Sequence, residues 1–325
     1  MCLPPDRYDY LPIVDRPRIA WPQGARVAFW VAPNVEHYEY LPRFDGVRDP
    51  WPRCPYPDVQ GYSHFDYGNS VGFWRVLEVL DSYRIRCTVS LNLAVLDRYP
   101  QIAQAMLARS WDFMSHGFVN TEYMTTFGER EERDWLRANM AAFERHAGRP
   151  LEGFFGPSSS CTARTPDLLA ELGFLYHCDW MHDDQPTPLR VRSGRLISVP
   201  YSMETNDGPV LRTSGDWRYF ARICKAQFDR LYREGAESGR VMCLALHPCW
   251  TGQPHRVRYL DEVLDYILSH DGVWQATAGE IARYYYANYY DEATAHSAAL
   301  SRRFAPVGNR KAADKPLSAP RAPLP

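Results

Sequence analysis

The chain has 325 residues, a formal net charge of −2 and 45% hydrophobic residues, which suits one large globular domain with its own core. The near-zero charge argues against a nucleic-acid partner or attraction to a membrane surface, and the lack of an apolar run of about 18 residues argues against a membrane span. With no secretory signal at its start and eight cysteines outside any C-x-x-C pair, the chain is expected to be cytoplasmic with reduced thiols.

Segments with strand and helix character alternate along the sequence. In chain order, the pattern predicts a strand at 27–33, an irregular proline-rich loop at 42–57, a helix at 73–82, a strand at 87–91, a helix at 102–109, a strand at 112–115, a helix at 129–145, a strand at 153–156, a helix at 165–173, strands at 175–179 and 196–200, a helix at 217–234, a strand at 241–247, a helix at 256–270, a strand at 274–276 and a last helix at 278–288. This alternation predicts an α/β fold with a parallel sheet. About seven strand–helix units favour a closed or nearly closed barrel over an open doubly wound sheet.

The two ends of the chain differ from this alternating middle. Residues 1–20 are interpreted as an N-terminal arm, 21–290 as the folded domain and 291–325 as a C-terminal tail. From about residue 302 the tail is rich in Pro, Ala, Arg and Lys without apolar periodicity, which predicts disorder. No G-x-G-x-x-G follows a predicted strand, so a dinucleotide-binding domain is not expected.

Three predicted strands end in residues able to do acid–base chemistry. One strand ends in Leu244-Ala-Leu-His247-Pro248, a second in Phe113-Met-Ser-His116-Gly117, and a third continues into Asn34-Val-Glu36. Pro or Gly directly after each histidine ends the strand there. Since parallel strands present their C-terminal tips to one cleft, the pattern predicts one shared site.

A set of short motifs lies in order between residues 21 and 290. They are Trp21-Pro-Gln-Gly-Ala-Arg-Val, Asn34-Val-Glu36, Asp66-Tyr67-Gly68 with Val71-Gly72-Phe-Trp-Arg75, Ser115-His116-Gly117, Cys178-Asp179-Trp180 with Asp183-Asp184, Leu244-Ala-Leu-His247-Pro, and Pro254-His255-Arg256 through Asp271-Gly-Val-Trp274 to Glu280-Ile-Ala. In this order and spacing the chain resembles the polysaccharide deacetylases with a NodB-like domain, also called carbohydrate esterase family 4. It is most similar to their branch of metal-independent allantoinases and a bacterial peptidoglycan deacetylase.

The resemblance implies a distorted (β/α) barrel of about seven parallel strands, with the site at the C-terminal ends of the strands. It also implies hydrolysis of a carbon–nitrogen bond other than a peptide bond, and a symmetric homotetramer. Through the matching motifs it makes Asp66, Tyr67 and Trp180 expected substrate contacts.

The motifs depart from those of the metal-dependent members of the family. Those members carry two adjacent aspartates in the first motif, where this chain has Glu36-His37. They carry two histidines four apart in the second motif, where His116 is followed by Asn120. A divalent ion would keep only His116 and Glu36, with His37 as a further candidate ligand, and amide groups are poor zinc ligands. We therefore expect no metal and no other cofactor, as in the allantoinase-like branch.

The candidate residues can supply the steps that amide or imide hydrolysis needs. Glu36 is the candidate base, with burial expected to raise its pKa, and His247 is the candidate acid for the leaving nitrogen. His116 is a candidate to orient the water or to polarise the carbonyl. Further candidate residues for substrate binding or for orienting a histidine are Asn34, Asn120, Asn206, Asp183 and Asp184.

Structural interpretations of the same residues stay open from sequence alone. Glu36 also suits a loop salt bridge, His37 a packing residue, and Asp183 with Asp184 an ordinary turn. The tyrosine-rich run at 284–290 resembles a carbohydrate-stacking surface but is more typical of packing or an oligomer contact. The long loop at 42–62, which holds Trp51, Tyr56 and Tyr62, is a candidate lid or subunit contact.

Two classes of function fit the sequence. The first is a hydrolase of a small amide, cyclic ureide or imide, with N-deacetylation of an amino sugar or a peptidoglycan fragment as the alternative. A cytoplasmic enzyme has poor access to wall polymers, which favours a small-molecule partner. The second class is a deacetylase-like binding protein without activity. The side chains of Glu36, His116 and His247 should converge in an enzyme, and need not in a binding protein.

Overall fold

The computed structural model describes residues 7–42 and 57–304. Residues 1–6 of the proposed arm, most of the predicted lid with Trp51 and Tyr56, and the tail beyond 304 lie outside the described residues. None of the described helices is both long and apolar enough to cross a bilayer.

A nine-stranded sheet forms the centre of the described part of the chain. Its strands are β1 (Val27–Val35), β2 (Thr88–Leu91), β3 (Asp112–Ser115), β4 (Gly153–Phe154), β5 (Tyr176–His177), β6 (Thr187–Leu189), β7 (Leu196–Ser198), β8 (Arg240–Leu246) and β9 (Val273–Gln275). The order is β6-β7-β5-β4-β3-β2-β1-β8, with β9 paired to the start of β1. All pairs are parallel except β6 with β7. This curled, mostly parallel sheet is the predicted distorted barrel.

Helices cover the outside of the sheet and connect its strands. They are α1 (Val59–Tyr67), α2 (Phe73–Ser82), α3 (Ala94–Arg98), α4 (Pro100–Leu107), α5 (Glu129–Ala147), α6 (Thr165–Glu171), α7 (Asp207–Thr213), α8 (Trp217–Glu234), α9 (Pro248–Thr251), α10 (Val257–Leu268), α11 (Ala278–Asn288) and α12 (Tyr290–Phe304). A π-helical turn at Gly68–Gly72 joins α1 to α2.

Alternate residues of each strand enter two different cores. Trp30 of β1, Met114 of β3 and Ala245 of β8 belong to one cluster inside the curl of the sheet. Phe29 and Leu244, one residue out of step, belong to the cluster beneath the surrounding helices. Because side chains alternate with a period of two, the residue two positions after each inner residue also points inward.

Several elements differ from the sequence predictions. The strand β6 was not predicted, because it has three residues, includes Pro188 and pairs antiparallel with β7. The prediction that 278–288 is the last helix is wrong, since α12 follows it. Only Ala293 and Leu300 of α12 are buried, which leaves too little apolar periodicity to indicate a helix. The division into arm, domain and tail stays a prediction.

The tyrosine-rich run packs against the body of the protein. The Tyr284 and Tyr289 hydroxyls both donate to the Ala20 carbonyl at 2.9 Å, and the rings of Tyr284 and Trp274 lie 5.6 Å apart. Tyrosines of this run therefore pack against the rest of the protein, as the packing interpretation predicted.

Close backbone contact at Gly72 joins the π-helical turn to α9. A β-carbon at Gly72 would lie 2.1 Å from the Pro248 carbonyl oxygen, whereas one at Gly128 would meet no atom within 4 Å. Pro248 directly follows His247, so this contact also supports the end of β8.

We expect Gly72→Ala to lower the free energy of unfolding by about 3 kcal/mol, because neither backbone segment has room for the methyl group. The matched variant Gly128→Ala should cost less than about 1 kcal/mol, the range of a weakened helix N-cap. Urea unfolding followed by circular dichroism measures both. Equal losses for the two variants would contradict the close contact.

Candidate active site

Three side chains from separate strand ends meet at one point inside the barrel. His116 and His247 follow an inner residue by two positions and Glu36 follows one by four, so all three point inward from the C-terminal edge of the sheet. Glu36 Oε1 lies 3.4 Å from His116 Nε2 and 3.6 Å from His247 Nε2. The carboxylate and the His116 ring are buried.

The hydrogen bond at the far side of the His116 ring determines its tautomer. His116 Nδ1 lies 2.9 Å from the Phe155 carbonyl oxygen. A carbonyl can only accept, so Nδ1 carries the proton. In the neutral ring Nε2 then holds a lone pair, and this lone pair faces Glu36.

His247 is held in the same tautomer by a residue that the sequence analysis did not identify. Asp207, at the start of α7, is fully buried. One of its oxygens accepts from His247 Nδ1 at 2.6 Å, and the other accepts from the His247 backbone N–H at 2.8 Å and from the Thr251 hydroxyl. Three donors indicate an ionised carboxylate. The sequence contains only a weak indication of Asp207: it follows Asn206, a residue typical of helix N-caps, and Asn206 caps α7 by accepting from Gly208 N.

The second oxygen of Glu36 has its own donor. The Tyr38 hydroxyl donates to Glu36 Oε2 at 3.1 Å and accepts from Asn120 Nδ2. Burial raises the pKa of Glu36, but His247 and His116, which favour the carboxylate when their rings are protonated, and the hydrogen bond from Tyr38 outweigh it, so the pKa lies below the ordinary 4.5. The expectation of a raised pKa was therefore wrong in sign, because three neighbours stabilise the carboxylate.

The residues do not match the ligand set of the metal-dependent relatives. Asn120 turns an N–H toward Tyr38, and the His37 ring lies 3.1 Å from the Tyr99 hydroxyl. Within residues 7–42 and 57–304, no group of three His, Cys, Asp or Glu side chains is arranged to hold a metal ion. The positions that match the relatives' metal ligands, Asn120 and His37, are thus engaged with protein hydroxyl groups.

Two of the predicted amide side chains form a polar layer beneath the site. Asn34 Nδ2 donates to the Tyr201 hydroxyl at 3.1 Å and to the Leu246 carbonyl at 3.2 Å. Asn206 Nδ2 lies 3.3 Å from the same hydroxyl. This layer ties β1 and β8 to the start of α7, and so supports Asp207.

Asp66 and Tyr67 lie on α1, beside the site. Asp66 accepts a hydrogen bond from the Tyr99 hydroxyl at 2.9 Å, and the Tyr67 hydroxyl accepts one from Arg75. Arg75 also donates to the Gly252 carbonyl at 3.1 Å. In this structure both predicted substrate contacts are engaged with other protein groups.

The predicted acidic pair after Trp180 lies away from Glu36. Asp183 binds Arg16 through both oxygens, at 2.8 and 2.9 Å, and Asp184 has an exposed side chain. Neither orients a histidine of the site, which corrects that expectation: Asp207 performs this role for His247. The Trp180 ring contacts the rings of Tyr8 and His177.

Two cavities can be compared among the described residues. A cavity beside Glu36, lined by Tyr38, Phe65 and Cys249 among others, leaves about 10 Å³ for the centres of water-sized molecules, enough for roughly one water. A larger cavity of about 730 Å³ lies between the 8–16 segment and β8. Glu36 lines the smaller cavity, and none of the three converging residues lines the larger one.

Comparison with known proteins agrees with this geometry. The polysaccharide deacetylase family matches residues 57–177. The chain is 28% identical over 250 residues to a Schizosaccharomyces pombe protein assigned to the polysaccharide deacetylases, covering 70% of this chain and 76% of that protein. It is 22% identical over 250 residues to a peptidoglycan deacetylase of Helicobacter pylori, covering 66% and 84%.

A solved structure supports the same assignment. The crystal structure of Puue allantoinase superposes with a TM-score of 0.73 at 25% identity, and the match covers 84% of this chain and 94% of that one. The sequence match and the fold indicate the same family. The chain therefore carries a polysaccharide deacetylase domain of the NodB-like type.

Proposed function

We propose that this protein hydrolyses a carbon–nitrogen bond, other than a peptide bond, in a small amide, cyclic ureide or imide. The observation that carries the proposal is the meeting of Glu36 Oε1 with His116 Nε2 at 3.4 Å and His247 Nε2 at 3.6 Å. All three atoms are hydrogen-bond acceptors when the histidines are neutral. Such a group binds a molecule that donates, and water is the simplest one.

A water held by these acceptors is prepared for attack. One of its hydrogens bonds to Glu36 Oε1 and the other to His116 Nε2, which leaves an oxygen lone pair directed at the substrate carbonyl. As the C–O bond forms, Glu36 takes the first proton as general base. His116 orients the water and carries no net charge in this step.

The proton then has a short path to the leaving nitrogen. His247 Nε2 faces the Glu36 oxygen that has been protonated, and can receive that proton and deliver it to the nitrogen as the C–N bond breaks. Ionised Asp207 stabilises the imidazolium that forms on the way. The products are a carboxylic acid or carbamate and a free nitrogen group, and Glu36 returns to its ionised form.

A small substrate with several N–H groups suits the remaining polar surface. Asn120 Oδ1 is buried and has no hydrogen-bond partner among the described residues, so it offers an acceptor to a substrate N–H. The stacked rings of Tyr38 and Phe65, 3.8 Å apart, form an apolar wall nearby. The similarity to Puue allantoinase favours a cyclic ureide.

Two other functions remain as alternatives. The similarity to a peptidoglycan deacetylase favours N-deacetylation of an amino sugar or a wall fragment. A binding protein without activity would not require the Asp207–His247 hydrogen bond or the convergence on Glu36, so it is the weaker alternative. A homotetramer and a cytoplasmic location stay predictions.

We expect turnover when cyclic ureides, imides and N-acetyl amino sugars are screened for release of ammonia, acid or acetate. Turnover should persist after chelation. Glu36→Gln and His247→Ala should each lower kcat by roughly 10²–10⁴-fold, the range for a positioned base or acid. Their double variant should fall little further, because both act on one proton path.

The matched control for this screen is His146→Ala, which removes a surface histidine paired with Asp97 and should leave kcat unchanged. If neither Glu36→Gln nor His247→Ala reduces turnover of an identified substrate, the proposed site is wrong. Loss of activity on chelation, with one ion per chain, would show that a metal takes part.

We expect Asp207→Asn to lower kcat by roughly 10²–10⁴-fold with little change in KM. The amide can present an N–H to His247 Nδ1, which would reverse the tautomer and remove the charge that stabilises the imidazolium. Asp97→Asn, which changes the surface carboxylate bonded to His146 at 3.0 Å, is the control. A kcat near wild type for Asp207→Asn would mean that another group fixes the tautomer of His247.

We expect the pKa of Glu36, measured by NMR of its side-chain carboxyl carbon, to lie below the ordinary 4.5, because its neighbours favour the carboxylate. Tyr38→Phe removes a hydrogen bond that favours the carboxylate, so this pKa should rise. Tyr99→Phe removes a hydroxyl bonded to Asp66 and should leave the pKa of Glu36 unchanged. An unchanged Glu36 pKa in Tyr38→Phe would contradict the hydrogen bond between Tyr38 and Glu36.

A further inference from the structure

One peptide group connects His116 to a second buried acid. The carbonyl of Phe155 accepts from His116 Nδ1 at 2.9 Å. The N–H of the same peptide, that of Gly156, donates to Asp179 at 3.0 Å to Oδ1 and 3.2 Å to Oδ2. The peptide between residues 155 and 156 is thus held at both ends, by a proposed catalytic ring and by a carboxylate.

Asp179 is bonded to a buried histidine as well as to this peptide. Its partner is His177 Nε2, and the side chains of both are almost fully buried, 3% and 0% exposed. His177 Nδ1 is buried and has no hydrogen-bond partner among the described residues. The hydrogen bonds of Asp179 to His177 and to the Gly156 N–H are therefore both made away from solvent.

The peptide cannot turn away from these two partners. A β-carbon on Gly156 would lie 1.9 Å from the Ser160 carbonyl oxygen, so the following turn closes directly over the peptide. The Phe155 N–H donates to the Ser115 carbonyl at 2.9 Å, which fixes the preceding residue next to β3. The His116 and Phe155 rings also stack, with centroids 4.9 Å apart.

We propose that Asp179 is a positioning residue for His116 that acts through the Phe155–Gly156 peptide. A carboxyl oxygen that accepts from a peptide N–H polarises the peptide and makes its carbonyl a stronger acceptor. The stronger bond holds His116 in the Nδ1–H tautomer and increases the basicity of Nε2, the atom that orients the water. This role in catalysis rests on the function proposed above, whereas the connection between Asp179 and His116 does not.

The connection can be tested by NMR on the protein without substrate. In Asp179→Asn the proton on His116 Nδ1 should move upfield, because the Phe155 carbonyl becomes a weaker acceptor. The matched control is Glu132→Gln, which neutralises another fully buried carboxylate, one bonded to the Thr162 and Thr165 hydroxyls. An unmoved His116 proton in folded Asp179→Asn, or an equal shift in the control, would overturn the proposal.

A reciprocal measurement keeps the test valid if Asp179→Asn does not fold. In His116→Ala the Gly156 amide proton should move upfield, because its carbonyl loses a donor, while the Gly153 amide serves as an internal reference. No movement at Gly156 would overturn the proposal.

Activity separates this inference from the proposed function. Asp179→Asn should lower kcat roughly tenfold, the lower end for a residue that supports a catalytic ring, with KM nearly unchanged. A moved His116 proton with unchanged kcat would refute the role of His116 in catalysis and leave the connection intact. A lowered kcat with an unmoved proton would refute the connection.

Discussion

The site depends on holding three hydrogen-bond acceptors face to face. Glu36 Oε1 and the two Nε2 atoms of His116 and His247 would repel one another if nothing lay between them. The protein makes this arrangement stable by fixing each group from behind: the Phe155 carbonyl and Asp207 hold the rings, and Tyr38 holds the carboxylate. The result is a buried point that attracts a proton donor.

The sheet supplies the framework for this arrangement. Parallel pairing aligns the ends of β1, β2 and β3, with Val35 opposite Leu91 and Leu91 opposite Ser115. On the other side, Pro33 lies opposite Leu246 of β8. Glu36, His116 and His247 each follow the last residue of their strand by one position. Each occupies a position whose side chain points inward. A shift of one residue in any pairing would turn that side chain into the helix-covered core.

The sequence predicted the parts of this site that depend on local pattern. An apolar run that ends in His followed by Gly or Pro has a short-range signature, so His116 and His247 could be found, and the main strands and helices followed from periodicity. Asp207 and Asp179 act on residues 40 and 23 positions away in sequence, and only the fold shows those pairings. Asp183 was misassigned because its partner, Arg16, lies 167 residues earlier.

The replacement of a second histidine by Asn120 changes how Glu36 is held. A histidine ligand offers a lone pair to a metal, whereas Asn120 offers an N–H to Tyr38, which in turn donates to Glu36 Oε2. Asn120 and Tyr38 thus form a chain of neutral donors that ends at Glu36. Because this chain occupies Oε2, the proposed mechanism places the proton taken from water on Oε1, the oxygen that both imidazoles face. The direction of proton transfer therefore follows from which oxygen of Glu36 is already bonded.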